Sequence, residues 1–289
     1  MLIFSPILIL CFAGSVLGSQ PPMDDHSYSL SVRSTKNPDE WQYSLYNISG
    51  STTLQALLPG DTISFIGLEI RKEHDGQRWI TVSDNYTPNE FIRIIASRIA
   101  EKTNFMASEK PSATYSRFVS GFFERFGTLK IFVFMRIGYY GPASENFLKA
   151  QAESGRLGSL ELEGTWPNGA QSIVKAYLSK RERPSLYMED DNKIIIDREL
   201  FDLVFTKFVS GKISFLKSIQ GSFQFDASYL ETLRTDLRSS KSDQNGKTNK
   251  KTFKWASPDN HTANCVIEIN GDQMKVTVDH KPDIVICSK

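Results

Sequence analysis

The chain has 289 residues and sets 34 Lys and Arg against 33 Asp and Glu, a formal charge of +1. Such a balance gives no general attraction to nucleic acid or to an anionic membrane, so neither is expected as a partner. With 40% hydrophobic and 23% charged residues, the chain resembles an ordinary globular protein. It is long enough for two domains.

Residues Met1 to Gly18 read as a secretory signal. Leu2-Ile3-Phe4 and Ile7-Leu8-Ile9-Leu10 form its apolar region, and Val16-Leu17-Gly18 precedes Ser19, so cleavage after Gly18 is expected. The apolar run falls short of the roughly 20 residues that a bilayer requires, and Gly14, Ser15 and Gly18 break it. No later stretch reaches that length, so no membrane span is expected once the signal is removed, and the location is extracellular. Cys11 leaves with the signal. Cys265 and Cys287 remain, and in an oxidising compartment a single disulfide between them is expected, with two unpaired thiols as the alternative. Sequons at Asn47, Asn85 and Asn260 mark candidate glycosylation sites on the surface.

Residues 19–27, with Pro21-Pro22, predict a flexible leader. From Tyr28 to Val82 the alternation of Tyr28, Leu30 and Val32, then of Trp41, Tyr43 and Leu45, predicts strands. Ile63 to Ile70 and Trp79 to Val82 are further strand candidates, making 19–85 a segment of antiparallel β without a helix. Thr87-Pro88-Asn89-Glu90 is a capping box with proline at the first helical position. The stripe Phe91, Ile94, Ile95 and Ile99 carries that helix through Thr103. Phe118, Val119, Phe122, Phe123 and Phe126 supply core, and Ile131 to Phe134 reads as a strand buried on both faces. A helix over 144–154 follows, then strands at Leu160 and Leu162 and at Ile173 to Leu178.

Residues 183–194, with Pro184 and the acidic Glu189-Asp190-Asp191, predict a solvated linker. Asp197 caps a helix with Leu200, Phe201, Val204, Phe205 and Phe208 on one face. Phe223-Gln224-Phe225 is a short strand, and Asp226 caps a helix with Tyr229, Leu230, Leu233 and Leu237. Ser239 to Lys251 reads as a polar loop before a strand at 252–255. Asn270-Gly271 predicts a tight hairpin that sets Ile267 opposite Met274 and Cys265 opposite Val276.

Phe-Val-Ser-Gly occurs at 118–121 and at 208–211. Ala143-Ser144 then parallels Ala227-Ser228, Trp166-Pro167 parallels Trp255 to Pro258, and Ala170–Leu178 parallels Ala263–Ile269. The expected fold class is therefore α+β: a signal peptide (1–18), a β-rich segment (19–85) and two related domains (86–182 and 195–289) joined by the linker. The Phe223, Phe225, Asp226 step and the terminal strands ending in a cysteine resemble the nuclear transport factor 2-like domains of secreted nematode proteins. The resemblance covers 195–288 best and 86–182 loosely. It implies helices packed on a strongly curved antiparallel sheet, with a conical pocket.

Signatures of catalysis are sparse. There is no His-Glu-x-x-His, no Gly-x-Ser-x-Gly and no Gly-x-Gly-x-x-Gly. Gly246-Lys247-Thr248 mimics a phosphate loop but has Lys241 where the first glycine belongs. His26, His74, His261 and His280 never stand at metal-ligand spacing, so no metal or other cofactor is implied. Glu161 and Glu163 share a strand face and read as a solvated pair. Asp226 with Tyr229, or Tyr139 and Tyr140, could mimic the pocket of the resembled fold, although Asp226 reads first as a helix cap. The expected function is a non-enzymatic extracellular interaction module. A carrier of a small apolar ligand is the alternative, and an isomerase-like enzyme the third reading.

Overall fold

The computed structural model describes residues 26–68, 78–107, 113–127, 132–189, 194–213, 215–240, 250–258 and 263–280. The expected signal and its cleavage site, the Asn260 sequon, Cys287, His74, His261 and the Gly246-Lys247-Thr248 segment lie outside the described residues.

The chain starts with β1 (Ser27–Ser34), β2 (Trp41–Asn47) and β3 (Gly50–Thr52), joined as antiparallel neighbours. Leu30 faces Leu45 and Val32 faces Tyr43, so the alternation read from the sequence becomes one buried face. The expected all-antiparallel segment is corrected at β4 (Thr62–Leu68), which joins the other side of β1 in parallel. A two-residue β5 (Ile80–Thr81) pairs with β2.

The next elements are α1 (Pro88–Arg98), β6 (Ile99–Ala107), α2 (Ala113–Phe126), β7 (Phe132–Gly138), α3 (Pro142–Glu153) and β8 (Ser159–Glu163). They are followed by α4 (Ala170–Lys180), β9 (Ser185–Met188), β10 (Ile195–Ile196), α5 (Arg198–Val209) and β11 (Phe215–Phe223). After these come α6 (Ser228–Thr232), β12 (Arg238–Ser240), β13 (Lys250–Ala256), β14 (Ala263–Asn270) and β15 (Gln273–His280). All strands belong to one large, curved, unclosed sheet in a mixed α+β protein. From β1 through β4, β6, β7, β8 and β9 to β11, each strand is parallel to the next. Beyond β11 the order β15, β14, β13, β12 is antiparallel.

The strands of 86–182 are thus parallel, where the resemblance implied an antiparallel sheet. The cause is local: helices separate them, and a helical crossover returns the chain in the same direction. Two segments read as core or strand are those helices. Tyr115, Phe118, Val119, Phe122, Phe123 and Phe126 are buried on α2, and Ala170, Ile173, Val174, Tyr177 and Leu178 are buried on α4. Both sets follow helical spacing. The proposed equivalence of 170–178 with 263–269 therefore sets a helix against a strand.

The capping box is present: the Thr87 hydroxyl accepts from Glu90 N, and the Glu90 carboxylate accepts from Thr87 N. The helix stops at Arg98, short of the expected Thr103, and Ile99 opens β6. The expected linker contains β9, which bonds to both β8 and β11. Its Ser185, Leu186 and Met188 are buried despite the charges flanking them. Phe223 is the last residue of β11, not part of a separate strand.

The β14–β15 turn is displaced from the expected register. Asn270 pairs with Gln273, Ile267 with Val276 and Cys265 with Val278, so Gly271 and Asp272 form the loop. Gly271, at φ 62°, is its first residue, where glycine is favoured. The shift is even, so Cys265, Ile267, Met274 and Val276 still share a buried face.

Candidate interaction face

Successive parallel strands add in one direction across the sheet, and right-handed crossovers then place every connecting helix on the same side. That side carries Leu30, Ile66, Phe105, Met135, Leu160, Leu186 and Leu216, all with no exposed surface and all at matching positions across six pairings. Phe105 meets Phe123 of α2 at 5.9 Å and Phe147 of α3 at 5.4 Å, between ring centroids. Of the described aromatic residues from Tyr115 to Tyr140, all but Phe134 and Tyr139 are buried.

The opposite side of the parallel strands bears no helix among the described residues. The register lines up Gly67, Met106, Arg136, Glu161 and Tyr187 across β4, β6, β7, β8 and β9. A second row holds Phe65, Asn104, Phe134, Ser159 and Ser185. Most of these side chains are partly exposed, while most of their neighbours along the strands are buried. Of the strand expected to be buried on both faces, Ile131 lies outside the described residues, Phe132 is buried and Phe134 is partly open.

At the centre of this face Arg136 bridges two carboxylates. Its Nε donates to Glu161 Oε2 at 2.5 Å and lies 3.4 Å from Glu163 Oε1. The two glutamates do share a strand face, as their spacing predicts, but they are held by a cation instead of being merely solvated. Their side chains are 21% and 18% exposed, so the contact is partly shielded from water. Beyond them, Lys217 Nζ of β11 sits 4.4 Å from the centre of the Tyr187 ring, within range of a cation–π attraction. The sequence reading missed Arg136, Tyr187 and Lys217. Arg136 carried a visible signal, as a lone charge in the apolar Phe-Val-Phe-Met-Arg-Ile run.

The other candidates do not assemble. Asp226 is exposed, and its Oδ1 accepts from Ser228 N at 2.9 Å. That bond holds its carboxyl below the usual range. It caps α6 as predicted: Ala227 already has helical dihedrals, and the Asp226 carboxylate takes up a free amide of the first turn. The Tyr229 hydroxyl donates to Asp202, 2.7 Å away, and not to Asp226. Tyr139 packs edge-on against Trp166 at 5.4 Å, and burial together with the Glu145 carboxylate raises its pKa. Tyr140 is buried. His26 Nδ1 lies 2.8 Å from Asp61 Oδ1, pinning the first strand to the loop before β4. No group of three or more His, Cys, Asp or Glu residues suited to a metal occurs among the described residues.

Cys265 is a free, fully buried thiol among the described residues, and burial pushes its pKa up to about 12. Its strand is flanked by Trp255 of β13 and Val278 of β15, so both lateral positions beside it are filled. Asn47 ends β2 and Asn85 is exposed beside the α1 cap. No helix among the described residues is long and apolar enough to cross a membrane.

Searches of protein-family models, of curated proteins and of solved structures found no match to this chain.

Proposed function

We propose that this chain is a secreted, glycosylated, non-enzymatic binding protein that holds a protein partner on the helix-free face of its parallel strands. One observation carries the reading: parallel strands normally have both faces covered, and here one bears no helix among the described residues. Stacked strand–helix units that leave such a curved face open commonly use it for binding. Its side chains fit a protein partner, because Met106, Phe134, Arg136 and Tyr187 belong to the residue types enriched where proteins meet. The carrier reading gains no support from the aromatic core, whose rings fill space against one another, Phe123 and Phe147 being 4.7 Å apart.

A photo-cross-linking side chain placed at Lys217 tests the proposal, with Lys149 on the exposed side of α3 as control. The secreted protein is irradiated in extracellular fluid from its source. A discrete covalent adduct from position 217, absent from position 149 and lost on adding Arg136→Ala, is the expected result. Equal adducts from both positions, or none from 217, overturn the reading.

A further inference from the structure

The two ends of the sheet differ in how their outer strands are guarded. At one end stands β12, which carries Arg238. At the other, β2 takes β3 along Leu45–Asn47 and β5 along Gln42–Tyr43, and neither short strand pairs further among the described residues. An outer strand exposes unpaired amide and carbonyl groups, and proteins usually protect it with lysine, proline or a bulge. β3 is Gly50-Ser51-Thr52 and has no charge and no proline. The turn leading into it holds Ile48 at 73% exposure, the most open large apolar side chain among the described residues.

That turn is also a sequon. Asn47 pairs with Gly50 across the hairpin, and its Oδ1 accepts from Ser49 N at 2.9 Å. We infer that an N-linked glycan on Asn47 is the guard of this end of the sheet, shielding Ile48 and β3 from pairing with a second copy of the chain. The inference rests on the secretion reading above, since the sugar is added only in the secretory pathway. A hydrated branched sugar at the base of the hairpin would cover β3 sterically, where the strand itself has neither charge nor proline.

The test uses full-length chain secreted by cultured eukaryotic cells. Glycopeptide mass spectrometry should find Asn47 occupied, and light scattering should find the protein monomeric. Asn47→Gln and Ser49→Ala each remove the sequon by a different atom, and both should shift the protein to dimers and larger species at equal concentration. Adding Ile48→Lys to Asn47→Gln should restore the monomer, because charge then replaces the sugar. Secretion with Asn47 unoccupied, or monomeric Asn47→Gln and Ser49→Ala proteins, overturns this inference and leaves the secretion reading standing. A chain retained inside the cell with no sugar at any sequon overturns both.

Discussion

Gly221 of β11 passes directly beneath the backbone of Ile194: a β-carbon at this glycine would overlap the Ile194 carbonyl oxygen. The contact lets Ile195 and Ile196 pair with Ser222 and Phe223, which anchors β10 to the sheet just before α5. Glycine is required by the approach of two backbones and not by its dihedral angles.

Gly221→Ala should therefore lower stability by about 3 kcal/mol, since two backbone segments must part to admit one methyl group. Gly121→Ala is the contrast. That glycine lies within α2, and its added carbon meets only the far end of the Arg125 side chain, at 3.1 Å. It should be neutral or stabilising by up to about 1 kcal/mol, as alanine restricts the unfolded chain. Urea unfolding of both variants measures the difference; equal midpoints would refute the role given to Gly221.

The hydroxyl of Tyr177 joins α4 to β8 and β9. It shares its proton between the carbonyl oxygens of Gly158 and Ser185, each 2.8 Å away, and accepts from Ser185 N at 3.0 Å. Tyr177→Phe should cost roughly 1–3 kcal/mol, because a buried amide and two carbonyls lose this partner together. Burial raises the Tyr177 pKa well above its ordinary value. The unfolded chain ionises this group near pH 10 while the folded chain keeps its proton. Above that pH the unfolded state holds fewer protons, so folded stability falls as pH rises. The wild-type protein should lose stability above about pH 10 more steeply than Tyr177→Phe, and parallel curves would contradict this assignment.

Cys265 provides a chemical test of burial. Fully covered, and with its pKa pushed up to about 12, it should resist alkylation in the native protein at neutral pH. Labelling of the unfolded chain without reductant then reads its pairing, immediate reaction showing an unpaired thiol. Peptide mapping distinguishes it from Cys287. Failure to label until a reductant is added would show that the two cysteines are bridged.

What could be read from the sequence was what neighbouring residues decide among themselves. The Thr87–Glu90 capping box, the Asp197 cap and the alternating β1, β2 and β8 strands needed no distant contact, and all are present. The Ile173–Leu178 run misled because five of its six residues are apolar or aromatic. Only the longer stripe from Ala170 shows the helical spacing. Residues 185–188 were hidden by charged neighbours, and four residues give too short an alternation to register as a strand. The open face was least legible, because it depends on which strands become neighbours. Arg136 and Glu161 lie 25 positions apart and meet only through the parallel register of β7 with β8.

From β4 to β11, the order of the parallel strands across the sheet is their order along the chain. A chain emerging amino-terminus first can therefore lay each strand and its helix on the unit just completed, without waiting for a distant segment. β11 ends this sequence, since its next neighbour is β15, more than fifty residues later along the chain. Until that hairpin arrives, the outer edge of β11 has no native partner. The long polar connection and the final hairpin thus fall at the step where a newly made molecule is most open to pairing with another.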